Sequence, residues 1–348
     1  MKKHTLKLGL FAALFAGLVL AVGGSACGPA GFAPQQELGA VRILATRADK
    51  PFTKPGDDVT LEMLAVDARR IKKQPLKIYW LPFVCQNPYR DLYYACFASA
   101  LGGDGGAGEG GGGDGGGGGF GFPANLDLTP FLKEGSKYSF KVPTDIIDKH
   151  PPVQGALDRY GLSIVFAVAC AGRVRTLAID PSDPTPQKVP IGCFDDDGNQ
   201  LGADDFVFSF ARVYTYDNRP NANPPLDGVT FDGKDVDLAQ GVVVDHCDEP
   251  TNCKHPVDVK VPDSAWELNP GAFDANGNAL HEQVYAIYYY TLKRTEKEGK
   301  LLYDARTGKV ADSANQFIPE QTGEGRLYVV VHDTRGGTTW ADFPIYVK

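Results

Sequence analysis

Tyr328-Val329-Val330-Val331-His332-Asp333-Thr334-Arg335-Gly336-Gly337-Thr338-Thr339 decides the architecture expected of this 348-residue chain. An apolar run meets an Asp-x-x-Gly-Gly turn, and a second strand follows, running to Val347. Asp333 can accept backbone hydrogen bonds across the turn, and glycine supplies the positive φ that a tight reversal needs. His332 sits in the strand that leads into the turn, where a packed or exposed, non-catalytic role is the default. Similar signals recur upstream. Val41 to Thr46 is a short strand, Lys54-Pro55-Gly56-Asp57-Asp58 a turn, and Val59 to Val66 a longer strand that alternates and then becomes apolar. Leu76 to Cys85, Lys137 to Val142 and Leu162 to Cys170 extend the series. Strands of this length between Gly/Pro/Asp turns predict an all-β chain of sandwich type.

The Asp-x-x-Gly-Gly hairpin resembles the last hairpin of PKD-type and related immunoglobulin-like domains. The opening strand, Pro-Gly-Asp turn and long strand resemble immunoglobulin-like domains of bacterial surface proteins. These resemblances imply two tandem immunoglobulin-like β-sandwich domains, at 40–203 and 204–348. An internal echo agrees with two units. Phe194-Asp195-Asp196-Asp197-Gly198-Asn199-Gln200-Leu201 parallels Phe273-Asp274-Ala275-Asn276-Gly277-Asn278-Ala279-Leu280, and an aromatic strand follows each, Phe206 to Tyr216 and Val284 to Leu292. Phe206 to Tyr216 is therefore expected to lead into the second domain. Residues 102–119, of which fourteen are glycine, interrupt the first. With no apolar side chain beyond Ala107 they predict a disordered insertion. They also lack the Lys and Ser/Thr of a phosphate-cradling loop.

The N-terminus reads as an export signal. Lys2, Lys3 and Lys7 precede an apolar run from Leu8 to Val22, and small residues follow to Ala26. That order is a secretory leader spanning 1–26. The run is short for a membrane span of about 20 residues. Gly24-Ser25-Ala26-Cys27 resembles the lipobox of bacterial lipoproteins, although Gly24 stands where that family prefers Leu. The resemblance implies acylation of Cys27, with 27–39 as a flexible tether. Gly28, rather than Asp, implies the outer membrane. As a whole the chain resembles predicted two-domain lipoproteins of myxobacteria, whose function is unassigned. An ordinary signal peptidase cut after Ala26 is the competing reading. Cysteine parity favours the lipid: seven cysteines less Cys27 leave six for an oxidising compartment.

Six cysteines allow fifteen pairings. Local pairing is the simplest: Cys85 with Cys96, Cys170 with Cys193, and Cys247 with Cys253. A zinc site formed by His246, Cys247, Cys253 and His255 is the alternative for the last pair, with ligand spacing that departs from the usual pattern. Asp195, Asp197 and Asn199 offer oxygens at alternating positions, as a calcium loop does, and a plain β-turn is the competing reading. No other cofactor is expected.

About 320 residues remain after the leader, with a formal net charge of −8 for the whole chain. An acidic balance argues against nucleic acid as a partner. No Gly-x-Ser-x-Gly elbow and no metalloprotease helix motif occurs. Acidic pairs such as Asp204 and Asp205 are the material for a glycosidase reading. Aromatic clusters point instead to recognition. Tyr288 and Tyr290 share one strand face, Tyr285 and Tyr289 the other, and one of these faces is core. Tyr89, Tyr93, Tyr94, Tyr288 and Tyr290 are the candidate ligand platform. The expectation is an exported, membrane-anchored envelope protein with a binding, adhesion or structural role, its partner an envelope protein or a glycan. A carbohydrate-active enzyme, or its accessory module, with a site between the domains is the rival.

Overall fold

The computed structural model describes residues 36–98, 125–155, 158–177, 189–249, 253–292 and 294–348. The leader, Cys27 and the 102–119 insertion lie outside these residues. The fold is all-β. The strands of the first half are β1 (Val41–Ala48), β2 (Phe52–Thr53), β3 (Asp58–Asp67), β4 (Lys77–Gln86), β5 (Lys133–Glu134), β6 (Lys137–Lys141), β7 (Gly161–Cys170), β8 (Arg173–Thr176), β9 (Ile191–Phe194) and β10 (Phe206–Thr215). One sheet has the order β1-β3-β6 and faces another with the order β2-β10-β7-β4-β5. Val59, Leu61, Met63, Trp80, Tyr138, Val165 and Val213 form the core between them.

All ten residues of β7 are buried. Side chains alternate across a strand, so β7 feeds two cores. Val165 and Ala167 point into the sandwich. Leu162, Ile164, Phe166, Val168 and Cys170 point to the opposite face. That face is roofed by the β8–β9 hairpin, by the short helix α1 (Ala95–Ala98) and by Leu128 and Leu132, which flank the turn at Thr129–Phe131. Cys85–Cys96 and Cys170–Cys193 pin the roof to β4 and β7, each with Cα atoms 5.8 Å apart.

The second half comprises β11 (Gly228–Phe231), β12 (Lys234–Asp235), β13 (Val242–Val244), β14 (His255–Lys260), β15 (Leu268–Phe273), β16 (Ala279–His281), β17 (Val284–Tyr290), β18 (Arg294–Thr295), β19 (Gly299–Asp304), β20 (Lys309–Val310), β21 (Asn315–Ile318), β22 (Gly323–Asp333) and β23 (Thr338–Val347). The sheet β12-β11-β14-β21-β18 faces the sheet β13-β23-β22-β17-β19-β20. The third disulfide, Cys247–Cys253, follows β13, with Cα atoms 5.9 Å apart. All three local pairings expected from the sequence are formed.

Strand β22 repeats the logic of β7. Leu327, Val329 and Val331 fill the second sandwich. Tyr328 and Val330 face outward, yet they are buried, because the β1–β3 face of the first sandwich covers them. Leu44, Ala45 and Val66 from that face join Tyr289, Tyr328 and Val330 in one apolar cluster. The sandwiches are tandem in sequence and packed face to face in space. The described residues of both sandwiches belong to one structural unit.

Two boundaries and one candidate pair differ from the sequence expectation. Phe206 to Thr215 does not open the second sandwich. It pairs with β7 along its whole length, so the first sandwich extends through Thr215. The aromatic pattern that suggested otherwise faces the roof layer. Residues 36–39, assigned to the tether, are partly docked: Leu38 is buried in the inter-sandwich cluster and its amide donates to the Tyr290 carbonyl at 3.1 Å. A single apolar residue carries no period that would announce this. Asp204 and Asp205 do not form a catalytic pair. Asp205 accepts from the buried Arg69 at 2.7 Å, while the Asp204 carbonyl accepts from the Val41 amide.

The shared core predicts that Val330→Asp, which buries an unpaired charge, uncouples the sandwiches at a cost on the order of 3 kcal/mol or more. Calorimetry is expected to resolve two transitions in the variant where the parent chain gives one. A single unchanged transition would refute the shared core.

Candidate functional site

The Asp-x-x-Gly-Gly turn forms as its residue types dictate. The Asp333 carboxylate accepts from the amides of Arg335 at 2.6 Å and Gly337 at 2.8 Å. Gly336 adopts φ +97. A Cβ on Gly337 would lie 2.6 Å from the Ala222 carbonyl oxygen, so no larger residue fits without movement. The turn holds Arg335 inward, its side chain only 5% exposed. Its guanidinium donates to Glu282 at 2.8 Å, to Glu267 at 2.9 Å and to the Pro220 carbonyl at 3.1 Å. Burial pushes the Glu282 and Asp333 carboxyls up from their ordinary values. The connecting segment is tied in at the same place. Asn223 donates to the Ala48 carbonyl of the first sandwich at 2.8 Å and accepts from the Thr338 amide of the second at 2.9 Å.

Beside this knot a cleft of about 710 Å³ opens between the sandwiches. Residues 43–48 of β1 and 209–212 of β10 line it consecutively, so it lies along two strand edges rather than on a sheet face. Phe52, Tyr214, Tyr216, Asn269, Thr334 and Gly336 complete the wall, with Arg47, Arg212, Arg219 and Arg335. The lining contains four arginines and no Asp or Glu, in a chain of formal net charge −8. The four cations differ in their compensation. Arg335 is paired as above. Arg47 pairs with Glu62 at 2.8 Å and lies over Trp340, 4.1 Å from the ring centroid. Among the described residues Arg219 has one acidic partner, Asp158, at 3.4 Å, and its buried Nε has no hydrogen-bond partner. Arg212 is exposed beside the Phe210 ring and forms no ion pair among the described residues.

Aromatic rings fix the cationic side chains. Phe52 packs against Tyr216 with centroids 4.8 Å apart, and the Arg219 and Arg335 guanidiniums lie 5.7 and 5.8 Å from its ring. Burial raises the phenols of Tyr214 and Tyr216 above their ordinary value. Tyr160 packs against both of them and donates to Asp91 at 2.5 Å. Asp91 also meets His150 Nε2 at 2.9 Å, which anchors the stapled Cys85–Cys96 loop to the same array.

The tyrosines proposed as a platform fall elsewhere. Tyr288 and Tyr290 are fully buried in the second sandwich, where Tyr288 donates to the Ser313 carbonyl at 3.1 Å and Tyr290 meets Phe317 edge-on. They are core, because their face of β17 turns into the sandwich. The opposite face, with Tyr289, is closed by the first sandwich. Tyr93 stacks on Phe210 in the roof layer, with Tyr94 edge-on to it. Of the five, only Tyr89 is largely exposed. Nothing in the sequence marked Phe52, Arg212, Tyr216 and Arg219 as one group, because strand pairing between distant segments brings them together.

The two Phe-Asp repeats are matched turns. The Asp195 carboxylate accepts from the Asn199 amide at 2.7 Å and from its side chain at 3.1 Å. Asp274 accepts from Asn278 in the same way, at 2.8 and 2.9 Å. Gly198 and Gly277 take φ +85 and +83. The Asn199 and Asn278 hydrogen bonds hold both carboxyls below the usual range. In the first turn Asp195 is thus engaged with its own backbone, and Asp195, Asp197 and Asn199 are arranged as the β-turn reading requires. Among the described residues, no group of three or more His, Cys, Asp or Glu is placed to hold a metal ion. Cys247 and Cys253 are joined to each other, and His255 pairs with Asp232 at 2.9 Å, so the zinc alternative has lost its thiolates.

No protein-family profile matches the chain, and no curated protein matches it. Among solved structures it is similar to tandem Ig repeats of Dlar, at 12% identity and a TM-score of 0.21, covering 89% of this chain and 98% of that one. It is also similar to latent PorU from Porphyromonas gingivalis, at 8% identity and a TM-score of 0.21, covering 89% of this chain but 24% of that one. A 1.5-MDa bacterial ice-binding adhesin gives 10% identity and a TM-score of 0.19, covering 90% of this chain and 67% of that one. Likeness at this level carries no argument about function.

Arg335→Gln leaves Glu282 buried without its cation, which predicts a loss of about 3–5 kcal/mol in chemical denaturation. Glu282→Gln combined with Arg335→Gln is expected to recover much of that loss, and an additive double variant would disprove the pairing. A second expectation concerns acid. Burial pushes the His332 imidazole down to about 4. The folded state therefore binds this proton less readily than the unfolded state. Stability is complete above the ordinary value of 6.5 and is lost as pH falls from 6.5 towards 4, by no more than about 3 kcal/mol. Comparing His332→Gln with the parent at pH 7 and pH 4 isolates this effect from Asp333 and Glu282. The variant is expected to lose less stability, and equal losses would contradict it.

Proposed function

We propose that this chain is an exported binding protein of the cell envelope, anchored by lipid on Cys27, which recognises a partner or ligand in the cleft between its two sandwiches. The observation that carries the reading is the wall of that cleft, where guanidinium, hydroxyl and aromatic groups converge on a surface held by two packed sandwiches. Such a wall suits recognition: rigid aromatic faces contribute contact area, and fixed polar groups orient what binds. Three disulfides fit an oxidising compartment outside the cytoplasm. Among the described residues no helix is long and apolar enough to cross a membrane.

The rival reading, a glycosidase between the domains, requires two carboxylates flanking the scissile bond. The lining of this cleft offers arginines and hydroxyls instead. Binding, adhesion or envelope structure remains the reading with a physical basis, and outer-membrane anchoring belongs to the same proposal.

Mass spectrometry of the mature N-terminus is expected to find a diacyl- or triacylglyceryl cysteine at Cys27. An unmodified thiol on protein released to the medium would refute the anchor. A glycan array and an envelope pull-down with the soluble form from Gly28 onward are expected to retain a specific component. Retention of none would refute the binding role.

A further inference from the structure

We infer that the inter-sandwich cleft takes an acidic saccharide, a sugar ring carrying a carboxylate or sulfate, with Arg212 and Arg219 as the anion-binding residues. The inference rests on the binding role proposed above and names the ligand class for that site.

The first argument is charge. Four guanidiniums reach the cleft wall without one lining carboxylate, although acidic residues outnumber basic ones in the chain, 43 to 35. The charges of Arg47 and Arg335 are met from behind the wall by Glu62 and by Glu282 and Glu267. Those two arginines are structural, and their pairing leaves little net field. Among the described residues Arg212 forms no ion pair, and the one acidic partner of Arg219 is Asp158 at 3.4 Å. An anion in the cleft would supply the counter-charge that these two guanidiniums lack. Guanidinium is suited to this role, because its planar fork matches the two oxygens of a carboxylate or sulfate.

The second argument is what surrounds the charge. Inorganic phosphate would engage the guanidiniums and leave the rest of the wall unused. That rest consists of the faces and hydroxyls of Tyr214 and Tyr216, the ring of Phe52, and the neutral polar groups of Ser209, Asn269 and Thr334. Aromatic faces pack against the C–H face of a sugar ring, and groups able both to donate and to accept suit its hydroxyls. Anion recognition, ring stacking and neutral hydrogen bonding coincide in one concave site. An acidic sugar presents all three on one molecule.

Titration calorimetry of the soluble form from Gly28 onward tests the inference with four probes: an oligogalacturonate, a sulfated galactan oligomer, a neutral galactan oligomer and polyglutamate. The expected result is binding of at least one acidic saccharide at least about tenfold tighter than the neutral oligomer and polyglutamate, weakening as salt rises. Arg212→Gln and Arg219→Gln are each expected to weaken it about tenfold or more, while Arg306→Gln, an equal charge change at an exposed site, leaves it intact. Arg212 is exposed, so its variant keeps the test valid even if Arg219→Gln unfolds. Equal binding of the neutral oligomer, equal or tighter binding of polyglutamate, or indifference to Arg212→Gln and Arg219→Gln would overturn the acidic-sugar assignment and leave the binding role standing. If none of the four probes binds while the envelope pull-down retains a partner, the ligand class is wrong. If the pull-down is also empty, the binding role itself fails.

Discussion

A strand that is apolar on both faces must be covered twice, and that constraint organises this molecule. An antiparallel sheet commonly leaves one face to water. Strands β7 and β22 cannot. Phe166 and Val168 on one side of β7, and Val165 and Ala167 on the other, require a sandwich partner and a roof. Val329 and Val331 on one side of β22, and Tyr328 and Val330 on the other, require a sandwich partner and a second sandwich. Each apolar side chain brought out of water contributes about 1.5–3 kcal/mol. Leaving the outer faces of β7 and β22 exposed would therefore be far more costly than ordering the segments that cover them. The result is a stack in which roof, two sheets, and two further sheets follow one another.

Polar structure then fixes how the layers meet. The face-to-face core supplies contact without direction. Direction comes from Asn223, which bonds to both sandwiches, and from Arg47 of the first, which donates to Thr339 and lies over Trp340 of the second. The Arg335–Glu282–Glu267 pairing lies within the second half and holds the Pro220 carbonyl of the connecting segment; such pairs add little net stability, but leaving either partner alone is strongly unfavourable. The bonds of Asn223 and Arg47 across the junction select one arrangement of the sandwiches over others. The edges of β1 and β10, both of the first sandwich, form the two sides of one cleft, and that arrangement brings Asn269 and the turn residues Thr334, Arg335 and Gly336 of the second sandwich into its wall. Function, on this account, follows from the junction rather than from either sandwich alone.

Much of the architecture was legible in the sequence because it rests on local chemistry. The strand runs, the Asp333 turn, the twin Asp–Asn turns and the three disulfides are all written within short segments. Other features depend on which surface meets which, and these were not legible. Tyr288 and Tyr290 looked like a platform because period-2 alternation tells which residues share a face, not which face is inside. Phe206 to Thr215 looked like an opening strand because its pairing with β7 joins segments far apart in sequence. Leu38 is one apolar residue in a polar stretch, and only the shared core gives it a place. The cleft combines β1, β10, the segment around Phe52 and the β22–β23 turn, so no motif announces it.

Small-angle X-ray scattering of the soluble form from Gly28 onward tests the shared core most directly. Two sandwiches packed face to face as one unit predict a pair-distance distribution with a single maximum and a radius of gyration near the compact-domain value, about 20 Å for a chain of this length. A distribution with two separated maxima and a markedly larger radius would show two sandwiches strung as independent beads, and would contradict both the shared core and the cleft that depends on it.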